Sequence, residues 1–158
     1  MHAAIMRALA LSLALALAAT VLGVPLASPA RAAATTADSV LADAEWRAIK
    51  GTISEQLAAL KAGDAGKAFV HASPSIRQQF GTAPNFLTMV RTAYGALIEA
   101  RYTEFLEGAL IEGQVIQPLR LVAPDNSVQV ALYTMQKQPG GRWKISGCVL
   151  APSTVRAA

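Results

Sequence analysis

The side chains of this sequence that could carry out acid-base chemistry are a set of tyrosines and glutamates in its second half. A phenol and a carboxylate facing one cavity can isomerise or hydrolyse a substrate without a cofactor, because one moves a proton while the other stabilises developing charge. The tyrosines are Tyr94, Tyr102 and Tyr133, and the glutamates are Glu104, Glu107 and Glu112. The glutamates fall near predicted strand ends, where carboxylates are usually solvated. A cofactor-free isomerase or hydrolase is therefore the alternative function.

Nucleophilic and metal chemistry have less support. His71 lies beside Ser73, but Ser73 precedes Pro74 and is already explained as the cap of a helix. One histidine and the distant Cys148 do not form a set of metal ligands. Cys148 is the only cysteine, which excludes an intramolecular disulfide, and its place in a predicted strand favours a packing role. We predict no catalytic residue, no metal site and no cofactor.

A binding site is the better prediction, formed where helical apolar side chains meet the sheet. Arg77 could clamp a carboxylate or phosphate, with a surface ion pair as its alternative role. Phe86, Met89 and Tyr94 share one helical stripe, which could line a cavity or fill a core. The predicted ligand-binding residues are His71, Arg77, Phe86, Met89, Tyr94, Tyr133 and Trp143.

Four short helices are predicted to position these residues. The first begins near Asp43, and its apolar residues recur at steps of three and four along one stripe, Trp46, Ile49, Ile53, Leu57 and Leu60. Gly63 ends it, and Asp64 caps a second helix over 65–72. Ser73-Pro74 starts the third helix, which Gly81 ends. Thr82 starts the fourth, which Gly95 ends or bends.

After Ala100 the apolar period changes from helical spacing to alternation, which predicts strands over 102–107, 115–122, 127–138 and 142–150. Helices followed by hairpin-linked strands indicate an α+β domain with an antiparallel sheet. Pro118 is expected at a bulge or an unpaired edge, because it cannot donate a hydrogen bond to a neighbouring strand. Apolar residues occupy both parities of the strands, so we expect helices on one face and a partner, most simply a second copy, on the other.

The N-terminal region has the order of a secretory signal: a positive start, an apolar run over 8–24, Pro25, and small residues up to Ala32. We predict a signal peptide over 1–32 with cleavage near Ala32, and a periplasmic or secreted product. The alternative is an uncleaved anchor, which would be the protein's only contact with a membrane. A flexible leader over 33–42, one domain over 43–153 and a loose tail over 154–158 follow.

The charge of the chain does not indicate a nucleic-acid partner. The formal net charge is +4, and removal of the signal with Arg7 and Arg31 lowers it to about +2. The remaining lysines and arginines are scattered and separated by acids, unlike the clustered charge of nucleic-acid-binding proteins. A mildly basic, solvated surface is the better interpretation.

A series of motifs along the chain resembles a known family. Gly63-Asp64, Ala72-Ser73-Pro74, Phe80-Gly81-Thr82 and the run from Trp143 to Cys148 are similar to the domain of unknown function 4864, over nearly the whole chain after the signal. The resemblance implies a small exported or anchored bacterial protein. The helices and sheet are also similar in arrangement to the nuclear transport factor 2-like cone, a fold that elsewhere holds small ligands, enzymes such as ketosteroid isomerase, or only dimer contacts.

Together these features predict a non-catalytic module of the cone type, with short helices on a curved antiparallel sheet. It is expected to bind a small apolar or amphipathic ligand or another protein, and to form a homodimer through its outer sheet face. Two alternatives stay open: the isomerase or hydrolase described above, and a structural dimer whose core is filled.

Overall fold

The structure is a computed structural model and describes residues 41–153. The predicted signal over 1–32, most of the leader and the tail over 154–158 lie outside the described residues. The helices are α1 (Asp43–Lys61), α2 (Ala65–Val70), α3 (Pro74–Phe80), α4 (Ala83–Ala93) and α5 (Gly95–Glu99). The strands are β1 (Tyr102–Phe105), β2 (Ala109–Ile111), β3 (Gln114–Val122), β4 (Val128–Lys137) and β5 (Trp143–Pro152). The predicted α+β class and the order of helices before strands are confirmed.

The helix boundaries follow from local chemistry. Asp64, Ser73 and Thr82 each accept a hydrogen bond from the backbone amide three residues ahead, so each caps its helix. Gly63 and Gly81 have φ angles of +71° and +68°, which a residue without Cβ adopts easily at a helix end. These capping residues and helix ends match the prediction.

The predicted fourth helix is two helices in the structure. α4 ends at Ala93, and α5 begins at Gly95. Tyr94 lies between them with φ −130° and ψ 30°, outside helical geometry. This break turns the Tyr94 side chain toward the sheet, where its hydroxyl reaches the backbone of β5.

The sheet is antiparallel, with strand order β1, β3, β4, β5, and β2 pairs with the other half of β3. β2 was missing from the prediction. It is joined to β3 by a tight turn at Glu112 and Gly113, which both have positive φ. A two-residue hairpin turn of this kind requires positive φ at both central residues, and Glu-Gly is a weak sequence signal for such a turn.

Pro118 lies in an internal strand and not at the edge of the sheet, but it is unpaired on one side, as predicted. β3 is paired on both sides, and Pro118 is in register with Leu132 of β4. On its other side the neighbouring strand is interrupted between β1 and β2, where the Leu106 amide donates to the Pro118 carbonyl. Since proline lacks an N–H, this interruption is where β3 tolerates it without losing a regular ladder bond.

A β-bulge in β5 explains part of the two-sided apolar pattern. Met135 pairs with Ile145, whereas the preceding Thr134 pairs with Gly147, so Ser146 is an extra residue. The bulge changes which parity faces inward. Ile145 before the bulge and Cys148 after it therefore pack against the same core. The prediction that opposite parities of this strand lie on opposite faces is wrong.

The buried residues form two clusters that meet near Tyr94. One packs α1 and α5 against the inner face of the sheet, around Ile53, Leu119 and Tyr133. The other packs α1, α2 and α4 together around Leu60 and Phe86. Tyr94 contacts both clusters.

The segment between α2 and α3 attaches the helices to the edge of the sheet. The Ile145 amide donates to the His71 carbonyl at 2.9 Å, and the Ser73 amide donates to the Ile145 carbonyl at 2.8 Å. Ala72 thereby forms a parallel bridge with Ile145. These bonds occupy backbone groups of an edge strand that would otherwise be free to pair with another chain.

The first turn of α1 is held to the far end of the sheet by Glu45. Its carboxylate accepts a hydrogen bond from Trp143 Nε1 at 2.5 Å and from Lys137 Nζ at 2.7 Å. The bonds from Lys137 and Trp143 lower the pKa of the Glu45 carboxyl. Within residues 41–153, no helix combines the length and the apolarity that a membrane span requires.

Candidate functional site

A cavity of about 210 Å³ lies where the two clusters meet, between the helices and the inner face of β4 and β5. It is intermediate between an enclosed hole and an open groove. Helices α1, α3, α4 and α5 form its walls and roof, and the sheet forms its floor. The lining residues are Gln56, Leu60, Ala72, Ile76, Gln79, Phe80, Phe86, Met89, Val90, Tyr94, Leu97, Tyr133, Ile145, Gly147 and Cys148.

The roof is built from aromatic side chains on α3 and α4. The Phe80 and Phe86 rings have centroids 5.9 Å apart in an edge-to-face arrangement, and Phe69 lies 5.3 Å from Phe86 on the other side. Such pairs are stabilised by the quadrupoles of the rings as well as by burial. The roof is therefore a packed aromatic layer, with the more flexible Met89 partly exposed beside it.

A row of polar side chains crosses the sheet, and two of its three members, Tyr133 and Cys148, lie in the floor of the cavity. Gln117, Tyr133 and Cys148 are in register on β3, β4 and β5. Tyr133 is fully buried, and its hydroxyl has no hydrogen-bond partner among the described residues. Burial raises the pKa of the Tyr133 phenol well above its ordinary value, and the neighbouring Cys148 adds to this shift. Burial also raises the pKa of the Cys148 thiol to about 12, so both groups are neutral at physiological pH.

Two other polar groups at the cavity have partners. Tyr94 donates its hydroxyl hydrogen to the Cys148 carbonyl at 2.9 Å, which ties the end of α4 to β5. Gln56 on α1 donates from Nε2 to the Ala68 carbonyl at 3.3 Å. Unlike the Tyr94 hydroxyl and Gln56 Nε2, the Tyr133 hydroxyl is both buried and unpaired among the described residues.

The lining is uncharged. No aspartate, glutamate, lysine, arginine or histidine is among the described residues that face the cavity. The carboxylate that an isomerase mechanism would pair with a tyrosine is therefore not supplied by this lining. Within residues 41–153 no three histidine, cysteine, aspartate or glutamate side chains are grouped so that they could hold a metal ion.

The cavity brings together four of the seven predicted ligand-binding residues, Phe86, Met89, Tyr94 and Tyr133. His71, Arg77 and Trp143 do not line it. His71 lies in a separate shallow groove between α1 and α2, with Nε2 3.6 Å from Glu55 Oε2. Burial lowers the pKa of the His71 imidazole, and the Glu55 carboxylate partly opposes this shift.

Arg77 and Trp143 have structural contacts instead. The Arg77 guanidinium lies over the Phe69 ring, 5.5 Å from its centroid, an arrangement that covers the aromatic layer from the solvent side. This stacking is the contact that the described residues give to the Arg77 guanidinium. Trp143 is buried at the other end of the sheet and donates to Glu45.

Several residues that line the cavity were not predicted, for different reasons. Gln56 lies on the polar flank of the α1 stripe, yet is buried. Ile145 and Cys148 have opposite parity in the sequence, and only the bulge between them places both side chains on the inner face of the sheet. Ile76 and Phe80 gave a usable signal, because their spacing of four residues places them on one face of α3.

One of the comparisons with known proteins identifies the family of this chain. The family model described as Domain of unknown function (DUF4864) matches residues 42–158. The chain belongs to the DUF4864 family. The resemblance inferred from Gly63-Asp64, Ala72-Ser73-Pro74 and the later motifs is thereby confirmed. The comparison of this DUF4864 chain with curated proteins gives no match, and the comparison with solved structures gives none.

Proposed function

We propose that this DUF4864 protein is an exported, non-catalytic module whose cavity binds a small, mainly apolar ligand. The observation that carries the proposal is the cavity of about 210 Å³ between two well-packed clusters. Protein interiors are close-packed, and voids larger than a water molecule are few. At roughly 30 Å³ per water-sized group, this space holds about seven such groups.

The lining determines the kind of ligand. Most of it consists of leucine, isoleucine, valine, methionine and phenylalanine side chains. An apolar lining favours a small, mainly apolar ligand, because contact with such a ligand removes apolar surface from water. The placement of helices against one face of an antiparallel sheet, with a cavity between them, supports a nuclear transport factor 2-like cone as the form of this module.

Ethylbenzene is a suitable probe, because it is apolar and of about the size of the cavity. We expect binding by the wild-type protein in ligand-observed NMR. Met89→Trp is expected to weaken it at least tenfold, since Met89 lines the cavity, is partly exposed, and can be replaced by a ring that fills the space. Thr88→Trp is the matched control, because Thr88 is exposed on the same helix and does not line the cavity.

Two results would contradict the proposal. One is the absence of binding in the wild type, and the other is equal binding by Met89→Trp and Thr88→Trp. Circular dichroism and thermal unfolding of both variants establish that the helix and the fold are retained.

The outer face of the sheet supports a second proposal, a homodimer. Ile116 and Pro118 of β3 and Val130 and Leu132 of β4 share the face that the helices leave uncovered. Val149 of β5 pairs with Leu132 and is 62% exposed. A contiguous apolar patch of this kind is typical of an interface.

The charges on this face are compatible with a second copy. Arg120 Nη2 and Glu104 Oε2 are 2.6 Å apart on adjacent strands, so the pair is neutralised within one chain. Two copies related by a twofold axis would therefore bring apolar groups together without unpaired like charges.

Native mass spectrometry of protein from the periplasmic fraction tests export and dimerisation together. We expect a chain cleaved near Ala32 and a mass of two copies. Val149→Lys is expected to give single copies, because a lysine within the contact would be buried without a partner. Val70→Lys, at a valine on α2 that is 53% exposed, is expected to stay dimeric. A wild-type mass of one copy would contradict the dimer, and an intact N-terminus would contradict cleavage.

A further inference from the structure

The unpaired hydroxyl of Tyr133 indicates what kind of ligand the cavity accepts. Two buried side-chain atoms in residues 41–153 lack a hydrogen-bond partner, Gln117 Oε1 and Tyr133 Oη. Of these two residues, Tyr133 is the one that lines the cavity. A buried hydroxyl without a partner is costly, and native structures generally provide one from protein, water or ligand.

The neighbouring groups leave this requirement unmet. Tyr94 donates to the Cys148 carbonyl, and Gln56 donates to the Ala68 carbonyl. Gln117 Nε2 donates to the Leu106 and Pro118 carbonyls, and Gln117 Oε1 is itself without a partner, so neither atom bonds the Tyr133 hydroxyl. The Cys148 thiol beside Tyr133 is a weak donor and a weak acceptor. The cavity that Tyr133 lines is therefore the space from which we expect a partner for its hydroxyl.

The charge of that partner is restricted by the lining. Burial keeps the pKa of Tyr133 above its ordinary range, so the phenol retains its proton and acts as a donor. No cationic side chain is among the described residues that face the cavity. A carboxylate at this depth would be desolvated without a compensating positive charge, which is strongly unfavourable.

We infer that the ligand carries an uncharged oxygen acceptor, such as a ketone carbonyl, which accepts a hydrogen bond from the Tyr133 hydroxyl. The remainder of the molecule lies against the apolar lining. This inference rests on the proposed function and adds the polarity of the ligand to it. Tyr133 is the specificity-determining residue, because it is the group that distinguishes an acceptor from a hydrocarbon of the same shape.

Three aromatic probes of similar size separate the possibilities. Ethylbenzene has no acceptor, acetophenone has a neutral carbonyl, and benzoate is an anion at neutral pH. In the wild type we expect acetophenone to bind at least tenfold more tightly than benzoate. In Tyr133→Phe we expect the preference for acetophenone over ethylbenzene to fall about tenfold, the effect of one buried hydrogen bond. Titration followed by NMR gives the affinities.

Tyr102→Phe is the matched control, because it also removes a tyrosine hydroxyl, but at a residue of β1 that is 53% exposed and does not line the cavity. We expect it to leave the ratio of the acetophenone and ethylbenzene affinities unchanged. An unchanged ratio in Tyr133→Phe, or benzoate as the tightest probe, overturns the inference while ethylbenzene binding upholds the proposed function. Absence of binding by all three probes overturns both.

Discussion

Gly108→Ala is expected to lower the free energy of unfolding by about 2 kcal/mol, within the usual range for an overpacked core. A Cβ at Gly108 would lie 2.2, 2.6 and 2.8 Å from three atoms of the Trp46 ring, closer than van der Waals contact allows. The Trp46 ring is rigid and packs against the cluster around Ile53, Leu119 and Tyr133. The clash with the added Cβ is therefore relieved only if Trp46 or the connection between β1 and β2 moves. Urea unfolding followed by circular dichroism measures the change.

Gly51→Ala is the matched control for this prediction. Gly51 lies within α1, and an added Cβ there meets nothing within 4 Å. Alanine in a helix interior is favoured over glycine by roughly 0.5–1 kcal/mol, so this variant is expected to be more stable than the wild type. Gly108 is not among the residues with positive φ, so backbone strain does not contribute to its expected effect. Wild-type stability in Gly108→Ala would show that Trp46 is not held against the strand connection.

Local chemistry explains why the helical half of the fold was predictable. Asp64, Ser73 and Thr82 cap their helices through contacts within three residues, and Gly63 and Gly81 end helices through their own φ angles. Each of these interactions depends on near neighbours in the sequence. Periodicity was similarly sufficient to place Ile49 and Ile53 in the core.

The sheet was less predictable because its irregularities depend on pairing between distant residues. The bulge at Ser146 is defined only by the register of β5 with β4. Pro118 is tolerated because the strand beside it is interrupted, a property of residues 106–108 and not of Pro118 itself. No local sequence pattern indicates the bulge or the interrupted strand. The prediction therefore relied on parity alone and assigned the apolar residues of β5 to two faces of the sheet.

The residues of the candidate site likewise divide into those that local sequence signals predict and those that depend on tertiary packing. Phe86 and Met89 follow from the stripe of α4, and the break at Tyr94, between α4 and α5, directs its side chain toward the sheet. His71 and Arg77 were predicted from chemical type, and the structure gives them contacts at the surface instead. A side chain's chemistry indicates what it could bind, whereas packing decides which space it faces.

The two tyrosines of the cavity are expected to respond to phenylalanine with opposite changes in stability. Tyr94→Phe removes a hydrogen bond to the Cys148 carbonyl, so we expect the free energy of unfolding to fall by about 1 kcal/mol. Tyr133→Phe removes a buried hydroxyl that has no partner in the ligand-free protein, so we expect a gain of about 1 kcal/mol. Urea unfolding of both variants without added ligand measures the two changes.

The sign of the Tyr133→Phe effect bears directly on the function. A gain in stability means that the wild type retains an unfavourable hydroxyl in its core, which is expected where a residue serves binding and not folding. A loss as large as that of Tyr94→Phe would show that the hydroxyl already has a partner, such as an enclosed water. Tyr133 would then need no hydrogen bond from a ligand, even if the cavity still bound apolar molecules.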